Sequence, residues 1–183
     1  ESSDIPNSFD CIGIPAVSAM EDDTMRRANR EIKDPLELEE ILRTCDSCRI
    51  AIHAGTFPYI IALNYGYEYE NGALTLYFHS ANQGRKLDLL REDPHVGFQM
   101  DCDHVFRHLD RGMQCTMDYR SIAGTGIISF VEDRAEFEKA TRLLLEHHGS
   151  PEGFVVTDAH FKATTILKLT AHSFTGKKKT PFN

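Results

Sequence analysis

The segment 77–90, YFHSANQGRKLDLL, carries the residue types of an anion site. A strand pattern ends at His79. Ser80, Ala81 and Asn82 follow, and a helical pattern begins after Gly84 with Arg85 and Lys86 in its first turn. The first N–H groups of a helix have no partner inside it, and the aligned peptide dipoles leave that end positive. Two cations placed there oppose the dipole unless an anion sits between them and the helix start. Ser80 adds a hydroxyl donor, Gly84 lets the backbone approach closely, and a phosphate is the natural guest. A solvated Arg-Lys pair with Asn82 as a simple N-cap accounts for this segment equally well.

Three other groupings have reactive residue types. Cys102-x-His104-x3-His108 with Cys115 contains metal ligands, but the spacing matches no zinc ribbon or finger, so loop histidines are the simpler reading and no metal site is assigned. Cys45-x-x-Cys48 has the form of a redox pair. It stands where a helix gives way to a strand, outside a βαβ setting, and reads as two ordinary thiols. His147-His148 closes a helix, where a cation complements the dipole, and reads as a surface cap.

These residues need elements to hold them. DPLELEEILRT, residues 34–44, reads as a helix with Asp34 as N-cap, Pro35 at its first position and an apolar face of Leu36, Leu38, Ile41 and Leu42. The period then changes to two. Strands are expected at 48–54, at 58–69 with Gly66 marking a bulge, and at 73–79, with Asn71-Gly72 as a hairpin turn. A helix carrying Leu87, Leu89 and Leu90 precedes a strand at 95–101. Residues 102–114 read as irregular, 115–132 as a long strand, 134–148 as a helix, 163–174 as a last strand and GKKKTPFN as an exposed tail. Consecutive antiparallel strands with inserted helices predict an α+β, mainly β fold, a closed or split barrel.

Composition narrows the function classes. The chain has 183 residues and a formal net charge of −8. Residues 1–24 hold six acidic residues and no Lys or Arg, leaving a body with 22 acidic against 20 basic residues. A near-neutral body has no long basic face for nucleic acid. No apolar run approaches the ~20 residues that span a bilayer, and no basic-then-apolar leader is visible, so a soluble chain is expected. Five scattered cysteines suggest reduced thiols in the cytoplasm rather than a disulfide framework. The expected organisation is an N-terminal arm at 1–24, one domain at 25–178 and a tail at 179–183.

FHSANQGRKLDLLREDPHVGF resembles the phosphate-gripping element of the flavin-nucleotide-binding split-barrel proteins, the superfamily of the pyridoxamine-phosphate oxidases. The likeness leans toward the nitroimidazole-resistance, or nitroimidazole reductase, branch. MRRANREIKDPLELEEIL is similar to that branch's opening helix, PYIIALNYGYEYENGALTLYFH to its first hairpin, and CTMDYRSIAGTGIISFVED to its long strand. The likeness spans residues 25–178.

The resemblance implies a six-stranded antiparallel split β-barrel with flanking helices, paired as a homodimer with a flavin in each seam. It places the strand backbone at Tyr59, Ile61, Ala62, Leu63 and Asn64 along the flavin, with His79 and Ser80 at the next strand end. It gives Arg85 and Lys86 the phosphate, and Tyr119 and Ser121 the contact across the dimer. The implied cofactor is FMN. FAD stays open because Tyr59 or Asn64 stands where many relatives carry a strand cation. Haem is a third option, since related split barrels hold it through a loop histidine, here His104 or His108. The implied activity is a flavin-dependent oxidoreductase drawing on NAD(P)H, with a flavin carrier or sensor as the alternative. Tyr65, Tyr67 and Met117 are expected to line a cleft over the ring. The oxidation of pyridoxamine phosphate is not implied, because Thr175 to Lys179 lack that family's substrate-binding C-terminal element.

Overall fold

The computed structural model describes residues 27–108, 115–149 and 153–180; the expected arm at 1–24 lies outside them. A single 3-10 turn at Ala28–Arg30 leads into β1 (Glu31–Ile32) and α1 (Pro35–Thr44). Then come β2 (Cys48–Ile52), β3 (Tyr59–Leu63), β4 (Tyr65–Glu70), β5 (Ala73–Ala81), α2 (Arg85–Glu92), β6 (His95–His108) and β7 (Cys115–Phe130). α3 (Arg134–His147), α4 (Asp158–Ala163) and β8 (Thr164–Lys179) complete the described chain.

The strands form one antiparallel sheet in the order β3-β2-β6-β7-β8-β5-β4, with β1 on β8. β3 and β4 stand at opposite ends of that order, yet only Asn64 separates them in the chain. The sheet must therefore curl until its two ends meet, and the closure at that corner is covalent. One face of the curled sheet carries the core: Ile50, Tyr65, Leu76, Phe78, Met100, Ile122, Leu167 and Leu169 are all buried there. α1 contributes Leu38, Ile41 and Leu42 to this core, and α2 contributes Leu87 and Leu90. α3 packs outside β4 and β5 over a second cluster of Tyr77, Phe137, Ala140, Leu144 and Ile166.

Local chemistry explains the element limits. Asp34 accepts a hydrogen bond from the Leu36 N–H at 3.0 Å, so it caps α1 as expected, with Pro35 at the first position. Asn71 and Gly72 have φ of 51° and 81°, the left-handed pair that a two-residue hairpin requires.

The structure has eight strands where the sequence reading expects six. β1 is a two-residue addition, and the stretch 58–69 breaks at the Asn64 corner into β3 and β4. Residues 102–108, expected to be irregular, extend β6 past a bulge at which Asp103 takes a φ of 57°. Gly176 to Lys179, expected in an exposed tail, lie in β8, and Gly176 is buried. Gly66 marks no bulge. β4 keeps its register through Gly66↔Tyr77, and the glycine is there because α3 crosses it closely.

His147 also departs from expectation. It is half-buried, hydrogen-bonded through Nε2 to the Cys45 carbonyl at 2.9 Å, with its ring 4.7 Å from that of Tyr65. Burial pushes its imidazole below the ordinary 6.5. The unfolded chain therefore binds this proton more readily than the native one as pH falls through 6.5, and stability is lost in that direction. Urea unfolding between pH 5 and 7.5 is expected to show a declining midpoint toward acid. His147→Gln, which retains an N–H donor, is expected to flatten that slope.

Candidate functional site

The turn between β5 and α2 is built without a side-chain cap. Asn82 faces elsewhere: its Nδ2 donates to the Lys162 carbonyl at 2.7 Å and its Oδ1 accepts from the Thr165 hydroxyl at 2.9 Å. Gly84 takes the N-cap position at φ 136°, a conformation that side-chain-bearing residues rarely adopt, and nothing stands near its Cα hydrogens. Its carbonyl accepts from Leu87 N–H at 2.9 Å, leaving the first-turn N–H groups of Arg85 and Lys86 without a helical partner.

The cations of this turn are uncompensated. The Arg85 guanidinium lies over the Tyr59 ring, 5.0 Å from its centroid. Lys86 is half-buried, and burial pulls its ammonium below the ordinary 10.5. Among the described residues neither forms a salt bridge, although fourteen such pairs occur elsewhere. Two unpaired cations, an uncapped helix start and an open glycine position make a cradle that fits a phosphate group. The Asn82-capped alternative does not hold. Ser80 is buried beside the turn, and its hydroxyl donates to the Ala81 carbonyl at 2.9 Å.

β3 borders this cradle through Tyr59. Tyr59, Ile61 and Leu63 turn toward the core, and Ile60 and Ala62 point outward. β3 pairs only with β2, so its other edge presents backbone N–H and C=O groups to whatever lies beside it. Asn64 is used structurally, donating from Nδ2 to the Asp46 carbonyl at 2.9 Å. His79 is exposed on β5, in register with Ile166.

Tyr119 and Ser121 are not brought to this cradle within one chain. Tyr59 is level with Ile52, Val96 and Gly126 across the sheet. Ser121 lies five residues further along β7, a separation of about 17 Å at the rise of an antiparallel strand. Both residues are on the outer face of β7, opposite to the core. Beside them Asp101 accepts from Arg49 Nη1 at 2.7 Å and from Gln99 Nε2 at 2.8 Å, and lies 2.6 Å from His104 Nε2. Sequence spacing gave no sign of this network, because it depends on the register of β2 against β6 and on the bulge after Cys102.

Two expectations about side chains are corrected. Tyr65 is fully buried, with its hydroxyl donating to the Leu42 carbonyl at 2.7 Å, so it lines no cleft. Tyr67 stands edge-on to His147 beneath α3 rather than near β3. Met117 is exposed at the far end of β7, away from the cradle of its own chain. Cys45 and Cys48 are buried, and desolvation pushes both thiols up, Cys48 to about 12, which leaves little thiolate for redox chemistry. Cys102 is buried toward the core while His104 pairs with Asp101 on the opposite face.

A curled antiparallel sheet with a phosphate-type cradle at a strand-to-helix turn defines the class of the protein. Residues 34–178 match the family described as pyridoxamine 5'-phosphate oxidase, and the chain belongs to that family. Comparison with curated proteins finds no match. Among solved structures, the chain is similar to a candidate 5-nitroimidazole antibiotic resistance protein from Bacteroides thetaiotaomicron. That likeness has 26% identity and a TM-score of 0.70, over 81% of this chain and 86% of the other. The flavocytochrome Anf3 of Azotobacter vinelandii shares the fold at 15% identity and a TM-score of 0.70, over 86% and 72% of the two chains. A FAD and haem binding protein from Mycobacterium smegmatis shares it at 16% identity and a TM-score of 0.69, over 84% and 75%. No described helix is long and apolar enough to cross a membrane.

Proposed function

We propose that this chain is a flavoprotein that binds FMN and serves as an oxidoreductase, reducing nitroimidazole-like or other flat aromatic substrates with electrons from NADH or NADPH. The observation that carries the reading is the uncapped, doubly cationic start of α2 beside the free edge of β3. Arg85 and Lys86 hold the flavin phosphate, and the β3 backbone from Tyr59 to Leu63 lies along the ring and its side chain. The bound flavin supplies the hydride and electron chemistry; the protein supplies orientation and electrostatics. Membership of the pyridoxamine 5'-phosphate oxidase family supports a flavin, and the 26% likeness to a candidate nitroimidazole resistance protein supports the substrate class.

The functional unit is a homodimer with a flavin in each seam. Among the described residues no helix lies on the outer face of β3, β2, β6 and β7: Ile60, Ala62, Ala123, Thr125 and Ile127 are all exposed on it. A second copy covering this face makes Tyr119 and Ser121 the polar contact across the dimer.

An absorption spectrum of the purified protein, followed by anaerobic addition of NADH, tests the reading. A two-band flavin spectrum that bleaches with NADH is the expected result. A flavin spectrum that does not bleach assigns the protein as a carrier. Mass spectrometry of the released flavin separates FMN from FAD. A Soret band moves the assignment to haem, the second group bound by the Mycobacterium smegmatis relative.

A further inference from the structure

β6 and β7 continue past the rest of the sheet. β8 ends at Lys179 opposite Tyr119, and β2 pairs with β6 no further than Gln99. Beyond those limits Val105 to His108 pair only with Cys115 to Asp118, giving a projecting ribbon of four residue pairs. A two-stranded ribbon is marginal in water unless a face is packed. One face has its own partner, with Arg107 Nε donating to Asp118 Oδ2 at 2.7 Å. The other carries Phe106 directly opposite Met117, 61% and 41% exposed. By the alternation of β7, this apolar pair lies on the same outer face as Ser121, Thr125 and Ile127.

The other end of that face is hollow. Ile60, Ala51, Gly97, Thr125 and Ser173 form one row across five strands, and four of them are small. A cavity of about 450 Å³ opens there, lined by His95, Gly97, Thr125, Ile127 and His172 among others. Ile127 lines it and Ile60 closes the same row beyond Ala51, both largely exposed.

The face thus has a protruding apolar pair at one end and an apolar trough at the other. Met117 and Thr125 are eight residues apart on β7, about 27 Å at the strand rise, and Ser121 lies midway. A two-fold axis lying in the interface, perpendicular to β7 and passing over Ser121, exchanges the two ends, which is the self-complementarity an isologous dimer needs. We propose that the ribbon of each subunit seats Phe106 and Met117 in the Ile60–Ile127 trough of a second copy. Each flavin site is then walled on its outer side by the partner's ribbon, because Ile60 adjoins Tyr59 in the cradle. This assignment rests on the dimeric flavoprotein reading above.

The test uses the full chain with Cys11→Ser and Cys115→Ser, leaving only buried native thiols. Met117→Cys and Thr125→Cys are added together. The two positions are too far apart within one chain to bridge. Mild oxidation with copper phenanthroline is expected to give a covalent dimer, with the 117–125 link found by peptide mass spectrometry. Either single cysteine is expected to stay monomeric on a non-reducing gel. Phe106→Ser with Met117→Ser, losing two apolar anchors, is expected to weaken dimerisation on the order of 100-fold in sedimentation experiments, with an unchanged circular dichroism spectrum. A flavin-loaded dimer that gives no 117–125 link overturns the ribbon placement and leaves the flavin reading standing. A flavin-loaded monomer overturns it too. Absence of flavin from the unmodified protein is a separate failure, of the cradle.

Discussion

Replacing Arg85 and Lys86 together by alanine is expected to weaken FMN binding by roughly 10²- to 10³-fold, from the loss of two charge-assisted contacts of about 1.5–3 kcal/mol each that do not add fully. Riboflavin, which lacks the phosphate, is expected to bind the variant and the parent alike. Flavin fluorescence quenching titrations measure both affinities. The fold is expected to survive, because among the described residues neither side chain takes part in a salt bridge and the Arg85 contact with Tyr59 is a surface stacking interaction. The FMN affinity of the parent should also fall with added salt, and that of the variant much less, since screening acts on the removed charges. Equal FMN affinity in the two proteins would remove the phosphate from α2.

Gly66→Ala is expected to be a severely damaging small change in the barrel wall. A Cβ built at Gly66 lies 2.5 Å from the Leu144 backbone nitrogen and 2.6 Å from the Leu143 carbonyl carbon. Neither is the end of a flexible side chain, so α3 as a whole has to move off β4. That movement opens the Phe137, Ala140 and Leu144 packing against Tyr77. Overpacking alone costs about 1–3 kcal/mol, and loosened helix packing adds to it. A drop in melting temperature on the order of 10 °C follows for a domain of this size. Thermal unfolding by circular dichroism measures it, and a shift under 2 °C would mean that α3 does not bear on Gly66.

α1, α2, α3 and the inner sides of the strands were legible because their signals are local, whereas the short α4 was not read. Asp34-Pro35 begins α1 and Asn71-Gly72 turns the β4–β5 hairpin, each through its own backbone chemistry. The Ser80–Lys86 segment was legible as an anion site for the same reason, although Asn82 left two readings open. What decided between them was the pairing of Asn82 with Thr165, 83 residues away, which no local pattern encodes. Gly66 was misread because a glycine that relieves a turn and one that admits a crossing helix look alike in sequence. Tyr65 and Tyr67 were placed near the cofactor on residue type alone. The Asn64 corner sends β4 to the opposite end of the sheet order from β3 and so to the α3 side. The extension of β6 through His104 and His108 was hidden by their polarity, since a ribbon outside the barrel has no core face to impose alternation.

The place of β8 in the sheet bears on how the chain matures. β8 lies between β7 and β5, and without it the sheet order falls into β3-β2-β6-β7 and a separate β4-β5 hairpin, joined through Asn64 and through α2 but not by strand pairing. A ribosome must therefore release nearly the whole domain before the wall can be completed. Until then the inner faces of β5 and β7 wait uncovered, and pairings of such long sequence separation are slow to form. A nascent chain halted before Thr164 is a natural client for holding chaperones, and a message truncated there yields no smaller working version of the protein.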